Sequence, residues 1–221
     1  VDSAKLYEVG SIFIPKDKPV TKEPDEKLKL CFGMYGNCDF YDLKGIIEVL
    51  LSRLGIKAVL KPVDDNPAFH PGRTAALYVN DDLIGVYGEA SPKVADNYGL
   101  DHRVYLAELD VEKILIYKNT NRKYRALPKY PSMVRDIAVI VKDDVLAGDM
   151  EEAIKEVNPY LIESVQLFDV YKGEHIQAGY KSTAFSVTYR NKDRTLKEKE
   201  VENIHNKILK VLEKKFNAVL R

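Results

Sequence analysis

The spacing of apolar side chains along this chain changes period several times, and each change predicts an element. Residues 6–14 and 29–34 read as strands, short and rich in apolar or alternating positions. In 42–54 the apolar residues Ile47, Leu50, Leu51 and Leu54 recur at helical spacing, with Asp42 as the N-terminal cap and Gly55 as the stop. Strands follow over 58–63, 75–80 and 83–88, the last two joined by a turn at Asn80-Asp81-Asp82. Ser91-Pro92 opens a short helix, and 104–109 is a further strand. This first part is mixed α/β with mainly antiparallel strands.

The second part is simpler. Residues 137–141 are almost wholly apolar and predict an interior strand. Asp149, with Glu152 three positions on, caps a helix that buries Met150, Ile154 and Val157 and ends at Asn158-Pro159. Strands over 164–171 and 181–189 flank a loop holding Gly173 and Gly179. Thr195-Leu196-Lys197-Glu198 has the form of a capping box and opens a long helix carrying Val201, Ile204, Ile208, Val211 and Leu212. A short strand over 217–220 closes a β-α-β-β-α-β order, the ferredoxin-like arrangement. Two helices on one side of such a sheet leave its other side open. In 181–189, Thr183, Phe185 and Val187 alternate with Ser182, Ala184, Ser186 and Thr188, and Arg190 continues the second set. That second row is small and hydroxyl-rich. It fits a flat ligand or a backbone, or simply water; it lacks the paired aromatics of RNA-recognition sheets.

Between the two parts lies a polar, basic stretch from Lys118 to Arg125, followed by Pro128 and Pro131. It cannot bury much apolar surface. The expected division is therefore 1–120, a linker over 121–127, and 128–221. The chain begins Val1-Asp2-Ser3, which leads us to expect a processed chain or a piece of a longer one. Its 221 residues, 45% hydrophobic and 31% charged, exclude disordered and fibrous classes. No apolar run approaches the roughly 18 residues of a membrane span. Two cysteines, Cys31 and Cys38, are too few for a disulfide scaffold and lack a metal-binding companion set, so we expect inert thiols in a reducing cytoplasm.

Zero net charge conceals a division. Residues 1–120 carry 15 basic and 19 acidic side chains, a net of −4, and 121–221 carry 19 and 15, a net of +4. A polyanion would favour the second part. No phosphate-binding GxxxxGK[ST] loop and no GxSxG nucleophile elbow occurs. His70-Pro71-Gly72-Arg73 reads as a turn into the following strand, with Arg73 in an ion pair. Phosphate contacts need lysine or arginine at loop or strand-end positions. The candidates for RNA contact are Lys129 and Arg135 at the entry to the first strand of the second part, Lys181 at the start of its third, and Arg190, Lys192 and Arg194 on the turn before the last helix. Arg135 is expected to share an edge with Lys181 or Arg190. Tyr130, Phe168 and Tyr171 are stacking candidates; core is the competing reading for Tyr130 and the favoured one for Phe168. Lys197–Glu200 alternates in sign as a solvated face does.

Several segments, taken in order, resemble the C-terminal part of the bacterial phenylalanyl-tRNA synthetase β subunit. They are Leu6-Tyr-Glu-Val-Gly-Ser-Ile-Phe13, Phe40-Tyr-Asp-Leu-Lys-Gly45, Phe69-His-Pro-Gly-Arg73, Ile84-Gly-Val-Tyr-Gly-Glu89, Pro128-Lys-Tyr-Pro131, Val134-Arg-Asp136, Phe168-Asp-Val-Tyr-Lys-Gly173, Lys181-Ser182 and Arg194-Thr-Leu196. The resemblance implies an α+β fold. Residues 1–120 would be part of an inactive class II synthetase catalytic-like module of antiparallel α/β build, and 128–221 a ferredoxin-fold anticodon-binding domain. It also implies tRNA-Phe and the synthetase α subunit as partners, in an α2β2 assembly. The whole enzyme would use ATP and Mg²⁺, with catalysis on α, in the cytoplasm and away from membranes. This piece itself is expected to hold no cofactor, metal or catalytic residue. Independently, 6–13 carries Glu8 but no arginine, and no GxGxxR occurs, so a bound polyphosphate would find no counter-charge there. Two other classes compete: a ferredoxin-fold amino-acid-sensing module, for which Gly148 follows the first strand in the right place, and a purely structural interface segment.

Overall fold

The computed structural model describes residues 2–121, 123–124 and 126–221; Val1, and Arg122 and Arg125 of the expected linker, lie outside the described residues. The chain forms two compact units, Val1–Lys123 and Tyr124–Arg221.

The first unit contains β1 (Ala4–Ile14), β2 (Asp25–Tyr35), α1 (Phe40–Arg53), β3 (Val59–Pro62), β4 (Phe69–Val79), β5 (Asp82–Ala90), α2 (Pro92–Asn97), β6 (Val104–Asp110) and α3 (Val111–Tyr117). Six antiparallel strands lie in the order β1-β2-β6-β5-β4-β3. Leu43, Ile47 and Leu51 of α1 pack with Leu77, Ile84, Tyr87 and Leu109 of the sheet, all buried. β5 and β6 approach so closely that a Cβ on Gly85 would sit 2.7 Å from the Glu108 carbonyl oxygen, which only glycine avoids. The α1 cap is Asp39, not Asp42: the Asp39 side chain accepts from the N–H groups of Tyr41 and Asp42, and Asp42 closes the box as N3. α3 is an element that the periodicity did not give. Asp110 caps it by accepting from the Lys113 N–H at 3.0 Å. His70 to Arg73 is not a turn but part of β4, whose register shifts between Phe69 and Thr74. Arg73 does make its ion pair, donating to both oxygens of the buried Glu89 at 2.9 and 2.8 Å.

The second unit contains β7 (Met133–Lys142), α4 (Ala147–Val157), β8 (Ile162–Tyr171), β9 (Tyr180–Tyr189), α5 (Glu198–Phe216) and β10 (Val219–Leu220). This is the β-α-β-β-α-β order, with the sheet arranged β10-β7-β9-β8. Ile137, Val139, Phe185, Val187 and Tyr189 form a buried core with Met150 and Ile154 of α4 and Val201, Ile208 and Leu212 of α5. Both helices therefore cover one face, and the Phe185/Val187 row points toward them as the alternation requires. The helix starts differ from expectation. Leu146, not Asp149, precedes α4, and α5 begins at Glu198 after Lys197, whose N–H donates to the Glu200 carboxylate at 3.0 Å. At α5 the Glu200 carboxylate takes the Lys197 amide and the box forms there rather than at Thr195, while α4 starts without a side-chain cap. Phe168 is not core: it lies where the β8–β9 register shifts, and 56% of its surface is exposed.

Candidate nucleic-acid interface

The register of β7, β9 and β8 fixes what the open face presents. Opposite pairs share a face, so Asp136 lies beside Ser186, Ala138 beside Ala184, and Ile140 beside Ser182. On the other flank, Gln166 pairs with Ser186, Asp169 with Ala184, and Tyr171 with Ser182. This face is not simply wetted: Ser182 is only 2% exposed and Ala184 only 8%. The Arg221 N–H donates to the Ala138 carbonyl at 3.0 Å, which places Arg221 on the same face. Its guanidinium reaches Ser182 Oγ at 3.4 Å and stands 5.6 Å from the centre of the Tyr171 ring. A stacked cation and aromatic thus span the sheet, over small side chains that let a flat group approach closely.

The chemistry of this face is specific. Asp136 and Asp169 are exposed carboxylates and repel phosphate. They accept hydrogen bonds, as the amino edges of bases require, and Ser164, Gln166, Ser186 and Thr188 add neutral donors and acceptors. The middle of the face therefore suits hydrogen-bonding edges better than phosphate groups.

The predicted cations fall at the margins, in three different situations. The β7–β9 register runs from Met133 opposite Tyr189 to Lys142 opposite Tyr180. Arg135 and Arg190 thus share one end, whereas Lys181 lies at the other. The expected sharing of an edge holds for Arg190 and is corrected for Lys181. Arg135, opposite Val187, is on the helix side and pairs with Glu198 at 2.9 Å. Arg190 holds Glu163 and the Tyr130 carbonyl, the latter at 2.5 Å. Arg194 is bound through both terminal nitrogens to Glu200. That contact and the Lys197 N–H hold the Glu200 carboxyl down to about 2, and the same pair raises Arg194 further. Lys181 donates to the Asp143 carbonyl at 2.8 Å, and burial, then Lys172, lowers its pKa. Lys129 and Lys192 are exposed and have no ion-pair partner among the described residues. Tyr130 is half-buried beside this end. Sequence reasoning named Tyr171 but missed Asp136, Asp169 and Arg221. Asp136 and Asp169 reach that face through the strand register, and in β8 through the shift between Leu167 and Asp169, neither of which parity within one strand can give.

The first unit offers a different donor set. Glu8, Cys31 and Glu108 are successive register partners across β1, β2 and β6. Burial, then Glu108 and Glu8, pushes the Cys31 thiol up, which keeps it protonated. Lys29 stands between Glu108 and Asp110, at 3.4 and 3.6 Å. These carboxylates do not fit a triphosphate. No group of three metal-ligating side chains is found among the described residues, and no helix among them is long and apolar enough to cross a membrane.

Two family models match the chain: the phenylalanyl tRNA synthetase beta chain CLM domain over residues 1–111, and the ferredoxin-fold anticodon binding domain over 128–221. Among curated relatives, phenylalanine–tRNA ligase beta subunits of Clostridium tetani and Clostridium acetobutylicum are 44% and 42% identical, each over 99% of this chain. That of Bacillus subtilis is 38% identical over the whole chain. The chain spans only 28–29% of the length of these relatives.

Proposed function

This chain belongs to the phenylalanyl-tRNA synthetase beta chain family, and from that premise we propose that it holds tRNA-Phe by the anticodon region and joins subunits in a phenylalanine–tRNA ligase. The open face of the second unit carries the reading: the Tyr171–Arg221 stack lies beside carboxylates suited to base edges, with Lys129 and Lys192, without an ion-pair partner among the described residues, at the margin. Lys129, Tyr130, Arg135, Lys181, Arg190, Lys192 and Arg194 form the rim. Among them, Lys129 and Lys192 supply the phosphate contacts most readily, because the arginines are already committed within the unit.

The first unit is a class II synthetase-like module without catalytic residues, and it serves assembly. The edge strand β1 supports this: Leu6, Tyr7 and Phe13 are 68%, 74% and 62% exposed, and alternate residues put apolar groups on both faces. Its partner is the α subunit of an α2β2 enzyme that performs ATP- and Mg²⁺-dependent aminoacylation in the cytoplasm.

The test is fluorescence anisotropy of this chain with labelled tRNA-Phe and with an anticodon-substituted tRNA-Phe, across a salt series. Tighter binding to the native anticodon supports the reading. Equal binding with equal salt slopes reduces it to general phosphate attraction. Calorimetric binding of a free amino acid without RNA binding replaces it with the sensing class.

A further inference from the structure

The outer face of α5 has a composition unlike any other helix surface of this chain. Val201, Ile204, Ile208 and Leu212 face the sheet and are buried. At about 100° per residue, the opposite side of the helix gathers Lys199, Asn203, Asn206, Lys207, Lys210 and Lys214 within about 100° of circumference. All six are exposed. No carboxylate lies inside that sector; Glu202 and Glu213 border one side of it and Glu200, held by Arg194, the other.

None of these four lysines has an ion-pair partner among the described residues. Some lysines of other helices are paired within their own turn, Lys44 with Glu48 in α1 and Lys155 with Glu151 in α4, whereas Lys113 of α3 donates to the Leu83 carbonyl and Lys93 of α2 has no ion pair among the described residues. In α5, Lys215, about 80° outside the sector and toward the buried side, pairs with Glu156. Lys207, Lys210 and Lys214 stand instead at i, i+3 and i+7, where like charges repel across each turn. The helix dipole accounts for a cation in the last turn at Lys214, not for Lys199, Lys207 or Lys210.

We propose that this Lys/Asn face of α5 is a second nucleic-acid site, one that takes the phosphate backbone of duplex RNA. The four lysines extend over about 22 Å of helix, and Lys207 to Lys214 over about 10 Å. A duplex of the B-DNA type carries a charge about every 1.7 Å of axis, so several phosphates fall within that reach. Asn203 and Asn206 add amide donors for phosphate or ribose oxygens. The face has no aromatic side chain and therefore reads no unstacked base. Because α5 presents this side away from the sheet, a duplex held here leaves the Tyr171 face free. The site does not depend on which RNA, if any, the sheet face reads.

The experiment uses this chain and a labelled RNA duplex of about twenty base pairs with no single-stranded loop. Anisotropy is read between about 50 and 200 mM salt for the parent, for a Lys207→Gln/Lys210→Gln/Lys214→Gln variant, and for the corresponding Lys→Arg variant. The glutamine variant is expected to lose about tenfold or more in affinity at the low-salt end, and its log–log salt slope to shrink by about 2–3. The arginine variant keeps both. Its partners being solvent, the glutamine variant should melt at or slightly above the parent temperature. Tyr171→Ala should leave duplex binding unchanged. Unchanged affinity and slope in the glutamine variant overturn the proposal. So does binding of the parent to vesicles containing about one-third phosphatidylserine without binding to the duplex.

Discussion

Arg190 and Glu163 form a two-pronged contact across β9 and β8, the Arg190 Nε lying 3.0 and 2.9 Å from the two carboxylate oxygens. The same guanidinium donates to the Tyr130 carbonyl, so it ties the approach to β7 onto the far strand of the sheet. Arg190 is thus part of the scaffold at the margin where RNA would pass. Replacing it by glutamine should lower the stability of the second unit by about 1 kcal/mol, since Glu163 is partly solvated. For a unit of this size that is a melting shift of about 4–8 °C. A Lys129→Gln/Lys192→Gln variant should behave oppositely, with unchanged melting and weaker RNA binding. Thermal unfolding and anisotropy on the two variants check this; a destabilised lysine variant with unchanged affinity would refute the assignment.

Tyr171 should dominate the sheet face. Its ring is backed by Ser182 and flanked by the Arg221 guanidinium. Tyr171→Ala should cost about 1–3 kcal/mol of single-stranded RNA affinity, the usual worth of a stacked base, and Tyr171→Phe should keep most of it. Equilibrium titration with a short single-stranded anticodon oligonucleotide measures both.

The Arg194–Glu200 pair has a pH signature. Glu200 titrates at about 2 in the folded chain because Arg194 and the Lys197 N–H stabilise its charged form. Its unfolded value is about 4.3. A depressed carboxylate contributes stability above its unfolded value, and that contribution is lost as pH falls from about 4.3 towards 2. Arg194→Gln should move the Glu200 carboxyl back towards the ordinary range in an NMR titration of side-chain carboxyl carbons. A value still near 2 would show that the backbone amide alone suffices.

His205 acts with the opposite group type. Burial, then the nearby Arg135 charge, lowers its pKa below the ordinary histidine value, and its Nδ1 lies 3.2 Å from the Tyr189 hydroxyl. The unfolded chain therefore takes up the proton first, so stability is full above about 6.5 and declines as pH falls below that. Urea midpoints between pH 5 and 7.5 should slope upward in the parent and flatten in His205→Gln. Equal slopes would remove His205 from the account.

Strong periodicity made most of the fold legible. The 3.6-residue repeat of Val201, Ile204, Ile208 and Leu212, and the strict alternation about Phe185, fix α5, β9 and the side each buries. Helix starts were less legible, because Asp39 and Asp42 both suit a cap and only the chain's exit from β2 selects Asp39. α3 escaped notice because a seven-residue helix holds too few turns to show a period. The cations of the site were legible as residue types but not as free charges. Whether Arg135, Arg190 or Arg194 meets Glu198, Glu163 or Glu200 depends on register and on side chains 63, 27 and 6 positions away. Phe168 misled because a large aromatic is usually buried, whereas it follows the core-facing Leu167 at the β8 register shift and stays exposed.

The central claim, that the open sheet face receives the anticodon bases, is tested most directly by amide chemical-shift mapping. The labelled full chain would be titrated with a short single-stranded RNA bearing the phenylalanine anticodon. The account predicts the largest shifts at Ala138, Asp169, Tyr171, Ser182 and Ala184, with smaller ones near Lys129 and Lys192. Shifts confined to α4 and α5 or to the first unit, with those five amides unmoved, would contradict it.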